Sequence, residues 1–157
     1  MNEVTPARFL DTGLAFWASK TLLSAVELEL FTVLAEGPAD LATLKARLGL
    51  HERAAADFLD CLVALGFLTR EEGVYANTPE TEAFLHKRNP RDSGGILVMA
   101  NNRLFPSWSR LTEALRTGLP QSDMHANDGG DFFGELYSDP KRLEEFLKSM
   151  SGISRGA

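Results

Sequence analysis

The residues able to do proton, thiol or phosphate chemistry are few. There are three histidines, His51, His86 and His125, and one cysteine, Cys61. A general base needs a group that orients it and a substrate proton within reach. None of the three histidines belongs to such a constellation, and all three read as lone surface residues. Cys61 sits between Asp60 and Leu62 in a helical stretch. It reads as a small buried hydrophobe rather than a reactive thiol. With one cysteine, no disulfide within the chain and no cysteine-rich metal site is possible. A phosphate cradle needs glycines at set spacing in the turn after an apolar strand. Gly94-Gly95 and Gly129-Gly130 follow no such strand. The chain is therefore expected to carry no catalytic residue, no metal and no cofactor of its own.

The elements around these residues are more informative. The stretch Asp40–Thr78 reads as helix, tight turn, helix, then a short two-stranded wing. Leu41, Leu44 and Leu48 recur at three and four residues, one apolar stripe. Gly49 ends that helix, where a left-handed residue costs glycine nothing. The second helix places Ala55, Phe58, Leu59, Leu62, Val63 and Leu65 inward, and Gly66 closes it. Thr69–Thr78 has Gly73 at its tip and β-capable Val74 and Tyr75. That order is a winged helix, which suggests DNA binding. Charge argues against it. The helix from Glu52 to Leu65 carries Arg53 against Glu52, Asp57 and Asp60. Over Asp40–Glu80 four bases face seven acids. A helix entering a groove must neutralise phosphates, so this motif reads as a packing module. No nucleic-acid partner is expected.

Composition agrees. The chain has 157 residues, 44% of them hydrophobic, with a net charge of −6. That is enough to bury a real core, and the charge disfavours nucleic acid or an anionic membrane as partner. The start, MNEVTPARF, lacks the basic-then-apolar pattern of a signal peptide. No apolar run approaches the roughly 20 residues that span a bilayer. A cytoplasmic protein is expected. Thr5-Pro6 reads as a helix start. Ala7–Ala35 then reads as one broken helix or two in line, with Phe9, Leu10, Leu14, Phe16, Trp17, Leu22, Leu23 and Val26 spread over more than one face. A helix apolar on most sides must be covered on most sides. A second copy of the chain supplies that cover; burial as the central helix of a single-chain bundle is the competing reading. Further on, Pro79–His86 is predicted helical with Thr78 as its cap. Asn89–Gly95 reads as a loop. Ile96–Gly118 is a helix broken or kinked at Pro106 and continuing over Trp108–Thr117. Asp131–Leu136 and Pro140–Met150 are two more helical pieces.

The runs AVELELFTVLAEGPADLATLKARLGL, RAAADFLDCLVALGFL, SWSRLTEALRTGLP and FLKSMSGISRGA occur in that order over nearly the whole chain. Together they resemble the N-terminal region of S-adenosylmethionine-dependent O-methyltransferases of the plant caffeate type and their bacterial natural-product relatives. The more specific pieces are LxxLGFL, the run Trp108, Leu111, Leu115, Arg116, Thr117, Gly118, and FLKSM. Glu29 departs from the small residue that relatives carry between the first two helical segments. The resemblance implies a mainly α fold: a winged-helix core with extra N- and C-terminal helices, in an intertwined dimer. It implies dimerisation helices over 1–36, the winged-helix core over 37–88, and over 89–157 helices that wall the acceptor pocket and lead to a methyltransferase domain absent here. S-adenosylmethionine and the catalytic histidine used by many relatives would belong to that Rossmann-like domain. In the family the pocket wall comes from the helix matching Ile96–Trp108 and from the partner's first helix. Carried over, the candidates are Met99, Asn102, Arg103, Phe105 and Trp108, with Phe16 and Trp17 from the partner. Methionine and aromatic faces with a few polar groups suit a flat aromatic acceptor.

Three readings follow. The first is a dimerisation and acceptor-lid region of a small-molecule O-methyltransferase, inactive alone, with a homodimer and a small aromatic acceptor as partners. The second is a stand-alone winged-helix DNA-binding regulator. The third is a pure oligomerisation module.

Overall fold

The computed structural model describes residues 4–121 and, after them, positions 137, 138, 140, 143, 144 and 147. His125, Gly129-Gly130, Asp131–Leu136, most of Pro140–Met150 and all of the final FLKSM-containing run but Leu147 lie outside the described residues.

Helix α1 (Ala7–Leu14) starts behind Pro6, whose carbonyl accepts the Leu10 N–H at 3.2 Å. The cap residue is Pro6 and no side chain caps the end, so Thr5 does not serve as predicted. After Ala15 comes α2 (Phe16–Glu27), then a sharp break and α3 (Leu30–Leu34). The break falls at Glu29, which adopts a left-handed conformation with φ of 58°. That conformation costs a non-glycine residue about 1–2 kcal/mol. Lys87 Nζ reaches Glu29 Oε1 at 2.6 Å, both side chains about half exposed. Such a pair contributes at most about 1 kcal/mol. The larger compensation is what the turn delivers: Leu30 and Phe31 become wholly buried.

The core forms around those two residues. Leu34 of α3, Leu44 of α4 (Leu41–Leu48), Leu59 and Leu62 of α5 (Glu52–Ala64), Leu68 of strand β2 (Leu68–Glu71) and Tyr75 of strand β3 (Val74–Asn77) complete it, with Ala25 and Val26 from α2. Asp40 caps α4 by accepting the Thr43 N–H at 2.8 Å, and Gly49 ends it at φ of 66°. His51 caps α5, its Nδ1 accepting the Arg53 N–H at 3.2 Å. This bond uses the neutral acceptor nitrogen of the imidazole.

Two inward assignments on α5 are corrected. The buried stripe is Ala55, Leu59 and Leu62. Cys61 is exposed; at about 100° per residue it stands about 200° around the helix from Leu59. Leu65 is also exposed, beyond the helix end.

Strands β2 (Leu68–Glu71) and β3 (Val74–Asn77) form the wing. The turn residues Glu72 and Gly73 both have positive φ, 49° and 82°, as a type I′ hairpin requires. A third strand, β1 (Ala39–Asp40), pairs antiparallel with β3, giving the order β1-β3-β2 with Ala39 opposite Tyr75. Two residues are too few to show an alternating pattern, so the expected two-stranded wing is one strand short. Asp60 of α5 pins the wing: its Oδ1 accepts from Arg70 Nη1 at 2.5 Å and from Tyr75 Oη at 2.7 Å.

Helix α6 (Pro79–Phe84) begins with a reciprocal capping box between Thr78 and Thr81 and ends short of His86. Thr81 is fully buried, its hydroxyl donating to the Phe67 carbonyl at 3.2 Å. Helix α7 (Gly94–Met99) starts two residues before the predicted Ile96. Gly94 is buried, and a Cβ there would stand 3.1 Å from Asp92 Oδ1 and 3.6 Å from Val26. A π-helical turn (Ala100–Leu104), α8 (Phe105–Trp108) and α9 (Leu111–Thr117) follow. Pro106 was expected to break or kink the helix. Its ring would clash with a carbonyl four residues back. Instead the preceding turn widens, the Phe105 N–H bonding to the Ala100 carbonyl five residues away. The chain breaks later, at Ser109-Arg110. No helix among the described residues is long and apolar enough to cross a membrane.

Arg70 and Tyr75 hold the Asp60 carboxyl below its ordinary range. A carboxylate with a lowered folded-state pKa adds stability above its unfolded pKa of about 3.9, and loses it as pH falls through the folded value. Asp60→Asn should therefore lower the urea midpoint at about pH 7, and the gap to the parent should narrow as pH falls below about 3.9. An unchanged gap across that range contradicts the assignment.

Candidate lid site

Helix α2 packs against α7 and the π-helical turn of its own chain. The polar residue buried in this contact is Asn101. Lys20 Nζ donates to Asn101 Oδ1 at 2.5 Å, and Asn101 Nδ2 donates to Glu27 Oε2 at 2.7 Å. A weaker bond runs from Asn101 Nδ2 to Asn102 Oδ1 at 3.2 Å. Lys20 and Glu27 are seven residues apart, on one face of α2, with their charges 3.9 Å from each other. A cation at one end and an anion at the other fix which way the carboxamide points. The Lys20 ammonium also lies 5.9 Å from the centre of the Phe105 ring.

The predicted residues distribute unevenly about this network. Phe105 is half-buried under Lys20, and Met99 and Arg103 are half-buried. Asn102 is exposed and Trp108 is 72% exposed. Phe16 and Trp17 are exposed on the first turn of α2, their rings edge-on with centroids 5.7 Å apart. The buried polar residue of this contact is Asn101, held by the partly exposed Lys20 and Glu27, and none of these three is among the residues singled out from sequence. A signal existed. Leu97, Asn101 and Phe105 recur every four residues, and Lys20 and Glu27 are lone charges two turns apart on a greasy helix.

Other titratable groups sit elsewhere. His86 is mostly buried rather than a surface residue, its Nε2 3.6 Å from Glu82 Oε1. Arg47 and Arg88 hold the Glu36 carboxyl low. Lys87 N–H donates to Thr32 Oγ1, and Arg88 donates to the Thr32 carbonyl. These bonds staple the segment before α7 onto α3 and so set where α7 begins. Among the described residues no group of three His, Cys, Asp or Glu could hold a metal ion.

Among the described residues the leading segment is an uncovered apolar feature. None of α1 is buried, and Phe9, Leu10, Leu14, Phe16 and Trp17 are all exposed. Residues 10–87, which include most of this surface and the whole winged helix, match the family model of the O-methyltransferase dimerisation domain. The chain belongs to the O-methyltransferase dimerisation-domain family. It is 47% identical over 152 residues to the tetracenomycin polyketide synthesis 8-O-methyl transferase TcmO of Streptomyces glaucescens, covering 96% of this chain and 43% of that protein. It is 36% identical to the N,N-dimethyltransferase OxyT of Streptomyces rimosus, covering 98% and 45%. The solved structure of PigF with SAH superposes with a TM-score of 0.83 at 27% identity, covering 97% of this chain and 45% of that one. The chain thus spans less than half the length of the relatives it matches. The fold is that of the dimerisation domain of natural-product O-methyltransferases. The family match stops at residue 87, ahead of α7 and the π-helical turn.

Asn101→Ala should cost about 0.5–1.5 kcal/mol, the net worth of its hydrogen bonds, because Lys20 and Glu27 are about half exposed and can turn to water. Asn102→Ala should stay within about 0.5 kcal/mol, as exposed positions do. Urea unfolding of both variants measures this; the reverse ranking contradicts the assignment.

Proposed function

We propose that this segment joins two copies of the chain and covers the acceptor pocket of a methyltransferase acting on an aromatic, polyketide-type hydroxyl compound. The observation that carries the reading is the exposed apolar surface of α1 and the start of α2 in a chain whose winged-helix core is already closed. Chemistry supports a pocket wall at the other end: Met99, Phe105 and Trp108 offer apolar and aromatic faces, with Asn102 and Arg103 among them and Phe16 and Trp17 supplied by the partner. Residues 1–36 would serve dimerisation, 37–88 the winged-helix core, and 89–157 the pocket wall and the connection to a methyltransferase domain. S-adenosylmethionine, the methyl donor, would be held by that domain. This segment positions the acceptor and excludes water, which is where much of the acceleration of a bimolecular transfer arises.

The DNA-regulator reading is weaker. The wing's cation Arg70 is held by Asp60, and α5 remains net acidic. The test is transfer of a labelled methyl group from S-adenosylmethionine to a polycyclic phenol, using the protein as its host makes it. Transfer is expected, and Phe9→Asp with Trp17→Ser should cut it at least about tenfold by loosening the pocket wall. No transfer to any aromatic hydroxyl compound overturns the reading.

A further inference from the structure

Lys20 is the one cation of α2, and its surroundings are unusual for a helix lysine. Phe16 and Trp17 precede it by four and three residues, so all three share a face. Phe105 approaches from the next layer, its ring centre 5.9 Å from the ammonium. The ammonium's position is set rather than free, because Asn101 Oδ1 holds it at 2.5 Å and Glu27 anchors Asn101 from the far side. An ammonium has three N–H donors. Asn101 takes one, and among the described residues the only carboxylate paired with Lys20 is Glu27, at 3.9 Å, too far for a hydrogen bond. The Lys20 side chain keeps 43% of its surface exposed. Donors remain for an outside acceptor.

We propose that Lys20 is a specificity-determining residue that binds an acidic oxygen, a carboxylate or ionised phenol, on the aromatic acceptor. This rests on the acceptor-lid reading above. A flat ring lies against Phe105, with the partner's Phe16 and the partner's Trp17 completing the wall as in that reading, while its anionic substituent takes the spare N–H donors of Lys20. The oxygen bound here is a second one. The methyl group passes from the donor's sulfur to another acceptor oxygen, the sulfur–carbon bond breaking as the carbon–oxygen bond forms, and the departing proton does not travel through Lys20. Asn101 is the positioning residue: it touches no substrate and keeps the ammonium over the Phe105 ring. The preferred acceptor class is therefore an acidic aromatic rather than a neutral one.

The experiment compares a hydroxynaphthoate with a naphthol as acceptors for the protein as its host makes it. In Lys20→Met, the KM for the hydroxynaphthoate should rise about tenfold or more, the scale of one charge-assisted hydrogen bond, with kcat retained. The naphthol KM should stay within about twofold, and Lys20→Arg should restore most of the discrimination. Equal loss for both acceptors, or no change for either, means that Lys20 is structural only and overturns the proposal, while the methyl transfer itself still supports the lid reading. Failure of the parent protein to methylate the hydroxynaphthoate while it methylates the naphthol overturns the proposal alone; failure with these and every other aromatic hydroxyl compound overturns the lid reading as well.

Discussion

The rest of the structure depends on one imbalance. The winged helix closes its core with residues from Ala25 to Tyr75, yet the helix that leads into it keeps Phe9, Leu10, Leu14, Phe16 and Trp17 in solvent. Contiguous exposed apolar surface of this kind marks an interaction site. Among the described residues the core offers it no seat, being filled by Leu30, Phe31, Leu44, Leu59 and Leu62, all without residual exposure. The left-handed turn at Glu29 separates the two tasks. Beyond it the helix faces inward; well before it the helix faces out. The family match over residues 10–87 spans both, and a second copy of the chain is the cover that reading supplies.

The other organising feature is the contact of α2 with α7 and the π-helical turn. A wholly apolar contact there would be easier to build, since a buried polar group costs free energy unless fully paired. The chain instead buries Asn101 and satisfies it from both ends with a cation and an anion on one neighbouring helix. The arrangement fixes rotation and register of the segment beyond residue 94 on α2 more narrowly than methyl packing would. The widened turn carries the helical path past Pro106, and Phe105 comes to lie under Lys20.

Much of the fold was legible. The stripe of Leu41, Leu44 and Leu48, the caps at Asp40 and Thr78, and the glycines at 49, 66 and 73 each state a local geometry that the structure adopts. The misses have physical causes. β1 is two residues long and gives no period. Cys61 and Leu65 were placed inward by type, although the helical angle from Leu59 sends Cys61 outward. Pro106 signalled a break that the backbone relieved upstream. The site was harder to read, because its polar members come from two helices more than seventy residues apart. Asn101 and Asn102 are adjacent and of one type, and only the four-residue recurrence with Leu97 and Phe105 separates the buried one from the exposed one.

The pairing of two leading helices is the claim on which the lid assignment stands. Sedimentation equilibrium of the 157-residue chain, one copy of which is 17.2 kDa, tests it most directly. The account predicts a particle of twice that mass at micromolar concentration, shifting toward a single copy when Phe9 and Trp17 are replaced by polar residues. A folded particle of one-copy mass across the whole concentration range would contradict it.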